Sequence, residues 1–192
     1  MFYLITITGS ALIIALANFL SDGIYTPLAF GTLLLYTALG VISVIAVDGL
    51  FAFIIRRLPE RWFAPEAKTF SVGNRERNFY RKTKINVWKK HVPEWGCFTG
   101  FHKDELKSSN DSKYIGRFLL ESNYGVLGHV AGAIFGFLIL FLPFLRTLSI
   151  ALPIAIINFI LSILPTMILR FNTPPLRRLY KRSLSAEQSQ GE

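Results

Sequence analysis

Val126-Leu-Gly128-His129-Val-Ala-Gly132-Ala-Ile-Phe-Gly136-Phe-Leu-Ile-Leu-Phe-Leu-Pro143-Phe-Leu145 is a run of 20 residues with no formal charge, interrupted by one imidazole. A bilayer core about 30 Å thick needs roughly 20 apolar residues in helix, so the run predicts a transmembrane span. Three further segments share its character: Phe2 to Leu20, Ala29 to Ile55 and Leu148 to Leu169. Of these, only the second contains a formal charge, Asp48. The first lacks the basic start and small-residue cleavage site of a signal peptide and reads as a retained span. With 52% hydrophobic residues in 192 and a positive mean hydropathy, the chain is an all-α integral membrane protein with the length of one compact unit.

Cations set the expected orientation, because cytoplasmic flanks are enriched in Lys and Arg. Of the 21 Lys and Arg, 15 fall between Arg56 and Arg117, five between Arg170 and Arg182, and Arg146 sits between the last two spans. Both termini and residues 56–122 are therefore expected in the cytoplasm. The net charge of +9 follows from this bias and calls for no nucleic acid; no nucleic-acid-binding motif of the usual kinds is present. A lone cysteine, Cys97, excludes an internal disulfide and a multi-cysteine metal site.

The expected organisation is a transmembrane hairpin over 1–55, a basic cytoplasmic segment over 56–122, a second hairpin over 123–171 and a tail over 172–192. Ser21 to Pro27 and Leu142-Pro143 supply the turns, so both hairpins are expected to be antiparallel. Trp62 and Phe63 beside Arg56, Arg57 and Arg61 suit the headgroup level. From Asn78 to Lys90, Phe79, Tyr80, Thr83 and Val87 fall on one arc of a helix, which predicts an interfacial helix or a soluble helix packed by that stripe. Pro174 and Pro175 predict the end of the last helix, and the Ser/Glu/Gln-rich end after Lys181 predicts disorder.

An ionisable group at membrane depth costs roughly 2.5 to 3.5 kcal/mol to insert for the fully charged types, so it needs a partner or a task. His129 is the first candidate, as a general base with a pKa near neutrality. Glu121 precedes it by eight residues. A regular helix separates the two by about 12 Å, while Gly125 and Gly128 permit a break that folds Glu121 back. Tyr124 and Asn158 are intramembrane polar groups with packing or site roles. Asp48 is expected to pair with Arg56 or Arg57 or to face interfacial water. Arg170 and Asn172 fall at the cytoplasmic membrane surface, where a guanidinium can hold a phosphate or carboxylate in a fork. No Gly-rich phosphate loop, metal-ligand cluster or nucleophile elbow is present, and His91 and His102 lack the His-x4-Asp spacing of soluble glycerolipid acyltransferases.

Three blocks in order, Phe79-Tyr80-Arg81-Lys82-Thr83-Lys84-Ile85-Asn86-Val87-Trp88-Lys89-Lys90-His91-Val92-Pro93-Glu94, then Glu121-x7-His129, then Arg170-Phe171-Asn172-x-Pro174, resemble the glycosyl-diaponeurosporenoate acyltransferase family of carotenoid biosynthesis. Phe101, Lys103 and Leu106 resemble its pattern between the first two blocks. Leu169, Phe171, Thr173 and Pro175 depart from its usual ending.

The resemblance implies a multi-pass enzyme of the bacterial cell membrane that moves a fatty acyl group from acyl-CoA to a sugar hydroxyl of a glycosylated isoprenoid. Glu121, His129, Arg170 and Asn172 match its polar positions, as do Lys84, Trp88 and Lys89. His129 is then the expected base, with Glu121 orienting the imidazole or binding sugar. Arg170 and Asn172 meet the donor phosphate or the developing oxyanion, and Tyr124 lies beside the substrate. The expected partners are acyl-CoA as cosubstrate, a lipid-linked sugar acceptor and membrane lipids, with no bound cofactor or metal; a homo-oligomer is compatible. Two other classes fit the same composition: a small S-adenosylmethionine-dependent membrane methyltransferase, and a noncatalytic adaptor whose basic segment binds anionic lipid or a partner protein.

Overall fold

The computed structural model describes residues 2–92, 111–143, 145 and 148–190. Cys97, Phe101, His102, Lys103, Leu106 and Arg146, together with Pro93 and Glu94 of the first block, lie outside the described residues. Among the described residues all regular structure is helical. Six α-helices run in order: α1 (Phe2–Asp22), α2 (Pro27–Arg56), α3 (Asn74–Lys82), α4 (Ile85–Trp88), α5 (Ser112–Phe135) and α6 (Leu148–Gln190), with a 3-10 extension of α5 over Gly136–Phe141. Among the described residues four stretches are long and apolar enough to cross a membrane: Ile5–Asp22, Pro27–Arg56, Ser112–Phe141 and Leu148–Ser189.

The chain divides into two compact units, 1–54 with 128–163, and 55–127 with 164–192. In the first unit, α2 starts at a strong signal. Thr26 accepts the Ala29 amide on its side chain at 3.1 Å, and Pro27 follows at the first helical position, where its missing N–H costs nothing. The core gathers Ile14, Val44, Ile139, Leu145, Ile150, Ala151, Ile154 and Ala155. Large apolar side chains such as Ile13, Leu28, Ile42 and Phe53 remain exposed, as a lipid-facing surface requires.

The second unit departs from expectation in two places. The helix expected from Asn78 to Lys90 begins four residues earlier and breaks at Lys84, whose φ of 51° is left-handed. The break reorients the stripe: Tyr80 and Ile85 are buried, while Phe79 and Val87 stand exposed. The second departure is α6, which runs through Pro174-Pro175 to Gln190 instead of stopping. Each proline removes one backbone hydrogen bond. Packing offsets that loss, since Leu176 is buried against Ile115 and Leu119 of α5, with Leu179 and Tyr180 beside them. Further along, the Glu187 carboxylate accepts from the Ser112 amide at 3.0 Å and its hydroxyl at 2.6 Å, which satisfies the start of α5. The last turns of α6 are thereby held where composition alone predicts disorder.

Candidate functional site

Polar side chains gather at three places, two of them in the second unit. The first is centred on Glu76, in the first turn of α3, where a carboxylate favours the helix N-terminus. Arg170 of α6 grips it as a fork, Nε donating to Oε1 at 2.5 Å and a terminal nitrogen to Oε2 at 2.8 Å. The same guanidinium donates to the Ser71 carbonyl at 3.3 Å. One helical turn after Glu76, the Tyr80 hydroxyl donates to Oε1 at 2.5 Å. The Arg170 hydrogen bond, helped by Tyr80 and opposed by partial burial, holds the Glu76 carboxyl below its ordinary value. Burial first, then the Glu76 contact, pushes the Tyr80 phenol up, so it stays protonated and donating.

The residues of the first resemblance block surround this clasp. Tyr80, Ile85 and Ile168 form a buried cluster with Trp88 and Phe171 packed on it. The Trp88 indole donates to the Thr83 carbonyl at 2.9 Å, and the Lys89 ammonium lies 5.5 Å from the centre of the Phe171 ring. Lys84 is exposed at the break between α3 and α4. Because α6 is continuous, Arg170 and Asn172 project roughly 200° apart around it, so the structure does not aim them at one point.

The second gathering is centred on Glu121 of α5. Its two oxygens meet Arg56 at 2.5 Å and Arg117 at 2.9 Å. Arg56 also lies over the Tyr124 ring, 4.9 Å from its centre. That ring stacks on Phe63 at 3.9 Å, and its hydroxyl donates to the Leu58 carbonyl at 3.3 Å. Asn123, fully buried, donates to the carbonyls of Phe63 and Ala64. Tyr124 thus joins Glu121 through Arg56. The alternative of a helix break at Gly125 and Gly128 is not taken, since α5 is unbroken from Ser112 to Phe135.

The third gathering, in the first unit, is Asp48 with Asn158; His129 sits half-buried on α5 in the same unit. Asp48 pairs here with neither Arg56 nor Arg57: the Asn158 amide donates to its Oδ1 at 3.3 Å and to the Gly132 carbonyl at 3.2 Å. Asn158 also borders a small apolar cavity of about 20 Å³, whose walls include Ile7, Ile14, Val41 and Ile154.

Glu76 was not among the residues singled out from sequence. It lies three residues before the first block, and its partner Arg170 comes 94 residues later. The one local signal is its spacing of four from Tyr80, which places both on one helix face. Among the described residues no group of three or more His, Cys, Asp or Glu is arranged to hold a metal ion.

No curated protein and no solved structure gives a significant match to the chain. A family model does: the glycosyl-4,4'-diaponeurosporenoate acyltransferase model matches residues 59–182, a range that contains all three blocks, the Glu76 clasp, and Glu121 with Arg117 and Tyr124, while Arg56 and Leu58 lie just before it. With that match covering more than half of its length, the chain belongs to the glycosyl-4,4'-diaponeurosporenoate acyltransferase family.

Proposed function

We propose that the protein transfers a fatty acyl group from acyl-CoA to a sugar hydroxyl of a glycosylated, carotenoid-type isoprenoid, with His129 as general base. The family match over 59–182 carries this reading, because it names an acyltransferase and a glycosylated acceptor. His129 lies inside the matched range and in an otherwise uncharged stretch. The imidazole takes the proton of the acceptor hydroxyl as its oxygen attacks the thioester carbonyl. The tetrahedral intermediate then breaks its C–S bond, and the imidazolium returns the proton to the departing CoA sulfur.

The contacts described above support the following division of the remaining roles. Arg170 is already engaged by Glu76, so its part is to hold α3 on α6. The donor phosphates fall to exposed Arg81, Lys82 and Lys84, with Lys89 and Trp88 beside them. Glu121, held by Arg56 and Arg117 with Tyr124 alongside, provides a polar surface for sugar hydroxyls. Asn172, two residues after Arg170 on the continuous α6, is assigned to binding donor or acceptor separately from it. The enzyme works in the cell membrane with both termini and residues 56–122 in the cytoplasm, where acyl-CoA is available.

The test is transfer from radiolabelled palmitoyl-CoA to glycosyl-4,4'-diaponeurosporenoate by purified protein in nanodiscs. His129→Ala is expected to lower the rate by about 10² to 10⁴-fold. A folded His129→Ala protein that transfers at the parent rate removes His129 from the reaction.

A further inference from the structure

We propose that Asp48 is the acidic partner of His129: a positioning residue within the membrane-crossing part of the first unit that orients the imidazole and stabilises its protonated form. The inference rests on the reading of His129 as the base. Asp48 belongs to α2, eight residues before its end, in a segment with no other formal charge ahead of Arg56. Among the described residues of this unit there is no lysine or arginine, and the ionisable residues are Tyr3, Asp22, Tyr25, Tyr36, Asp48 and His129. A carboxylate in such surroundings is costly, yet this one is built in with care.

Two glycines, Gly132 of α5 and Gly136 at the start of its 3-10 extension, make the notch that receives it. A β-carbon on Gly132 would lie 2.9 Å from the Asp48 Oδ1 and 3.3 Å from the Ser162 hydroxyl, and one on Gly136 would lie 2.4 Å from the Asn158 amide nitrogen. That amide holds the carboxylate and the Gly132 carbonyl together. The Asp48 carboxylate is thereby fixed against Gly132, three residues from His129 on the same helix. Positions three apart on a helix stand about 5–6 Å from each other, a gap that an imidazole and one bridging water span. From α5 the titratable group on this side is His129; from α6 the facing polar groups are Asn158 and Ser162, neither of which titrates. The imidazole N–H then donates to the water, which donates to Asp48, and this fixes the tautomer and turns the other ring nitrogen toward the acceptor hydroxyl.

The competing role is neutral glue, in which Asp48 serves only as a hydrogen-bond partner for Asn158. Asp48→Asn separates the two, since it keeps shape and hydrogen bonding but cannot ionise. In full-length protein in nanodiscs with palmitoyl-CoA and glycosyl-4,4'-diaponeurosporenoate, Asp48→Asn is expected to lower kcat at least about tenfold. KM for palmitoyl-CoA should stay within about twofold, and no further loss should appear in a His129→Ala background. An unchanged kcat, or losses that multiply, overturns the pairing while leaving His129 as the base. Parent-rate transfer by His129→Ala sinks the reading beneath it instead. Proximity is tested without activity by Asp48→Cys with His129→Cys in a Cys97→Ser chain, treated in native membranes with a short thiol cross-linker. An intramolecular cross-link is expected, and its absence overturns the pairing whatever the enzyme does.

Discussion

At the scale of residues, the Glu76 clasp makes a pH prediction. Glu76 has its carboxyl held below the ordinary value of 4.5, chiefly by Arg170. The sign follows from linkage: this stabilisation is fully present above the unfolded-state value and is lost as pH falls through the lower folded-state value. Thermal stability in detergent should therefore drop below about pH 4.5, and Glu76→Gln, already lacking the charge, should drop less over the same range. Equal drops would show that the clasp adds nothing in water-exposed surroundings. Lys84 offers a second residue-level test, because a left-handed conformation costs a side chain roughly 1–2 kcal/mol that glycine avoids. Lys84→Gly should leave the melting temperature unchanged or raised, yet raise KM for palmitoyl-CoA if that ammonium meets donor phosphate. What the sequence made legible at this scale was charge out of place: His129 and Asp48 stand out in apolar runs. Asn158 stood out as well, but its pairing with Asp48 did not, because the two lie 110 residues apart and no local spacing announces the contact.

At the scale of elements, the long helices were legible and their ends were not. Runs of apolar residues fix the spans through bilayer thickness alone. The ends depend on contacts made elsewhere in the chain. Pro174 and Pro175 signal a stop, but Leu176, Leu179 and Tyr180 carry α6 onward by packing against α5. The single helix expected over 78–90 is interrupted for a related reason: one left-handed residue, Lys84, separates α3 from α4, with Ile85 buried and Val87 exposed after it. If packing carries α6 past the prolines, Leu176→Ala should destabilise that contact by about 2–5 kcal/mol. Hydrogen exchange after residue 176 should then rise toward that of an unstructured tail. Unaltered protection would mean that the Ser112–Glu187 contact alone retains the end of α6.

At the scale of the whole molecule, the four described helices long and apolar enough to cross a membrane and a cation distribution concentrated at Arg56–Arg117 and Arg170–Arg182 predict one topology. In intact cells carrying a Cys97→Ser chain, a membrane-impermeant maleimide should label Gly23→Cys from outside. Lys82→Cys and Ser185→Cys should react only after permeabilisation, and the reverse pattern would invert the orientation. The glycine notch of α5 has a bearing on how such a chain can change over generations. At position 136 a β-carbon and the Asn158 amide compete for the same 2.4 Å of space. Relatives that gain a side chain there should have lost the amide opposite, and a carboxylate at 48 should then be missing too. Three positions on three helices are thus expected to be inherited as a set, so that aligned family members would sort into chains that keep all three and chains that keep none.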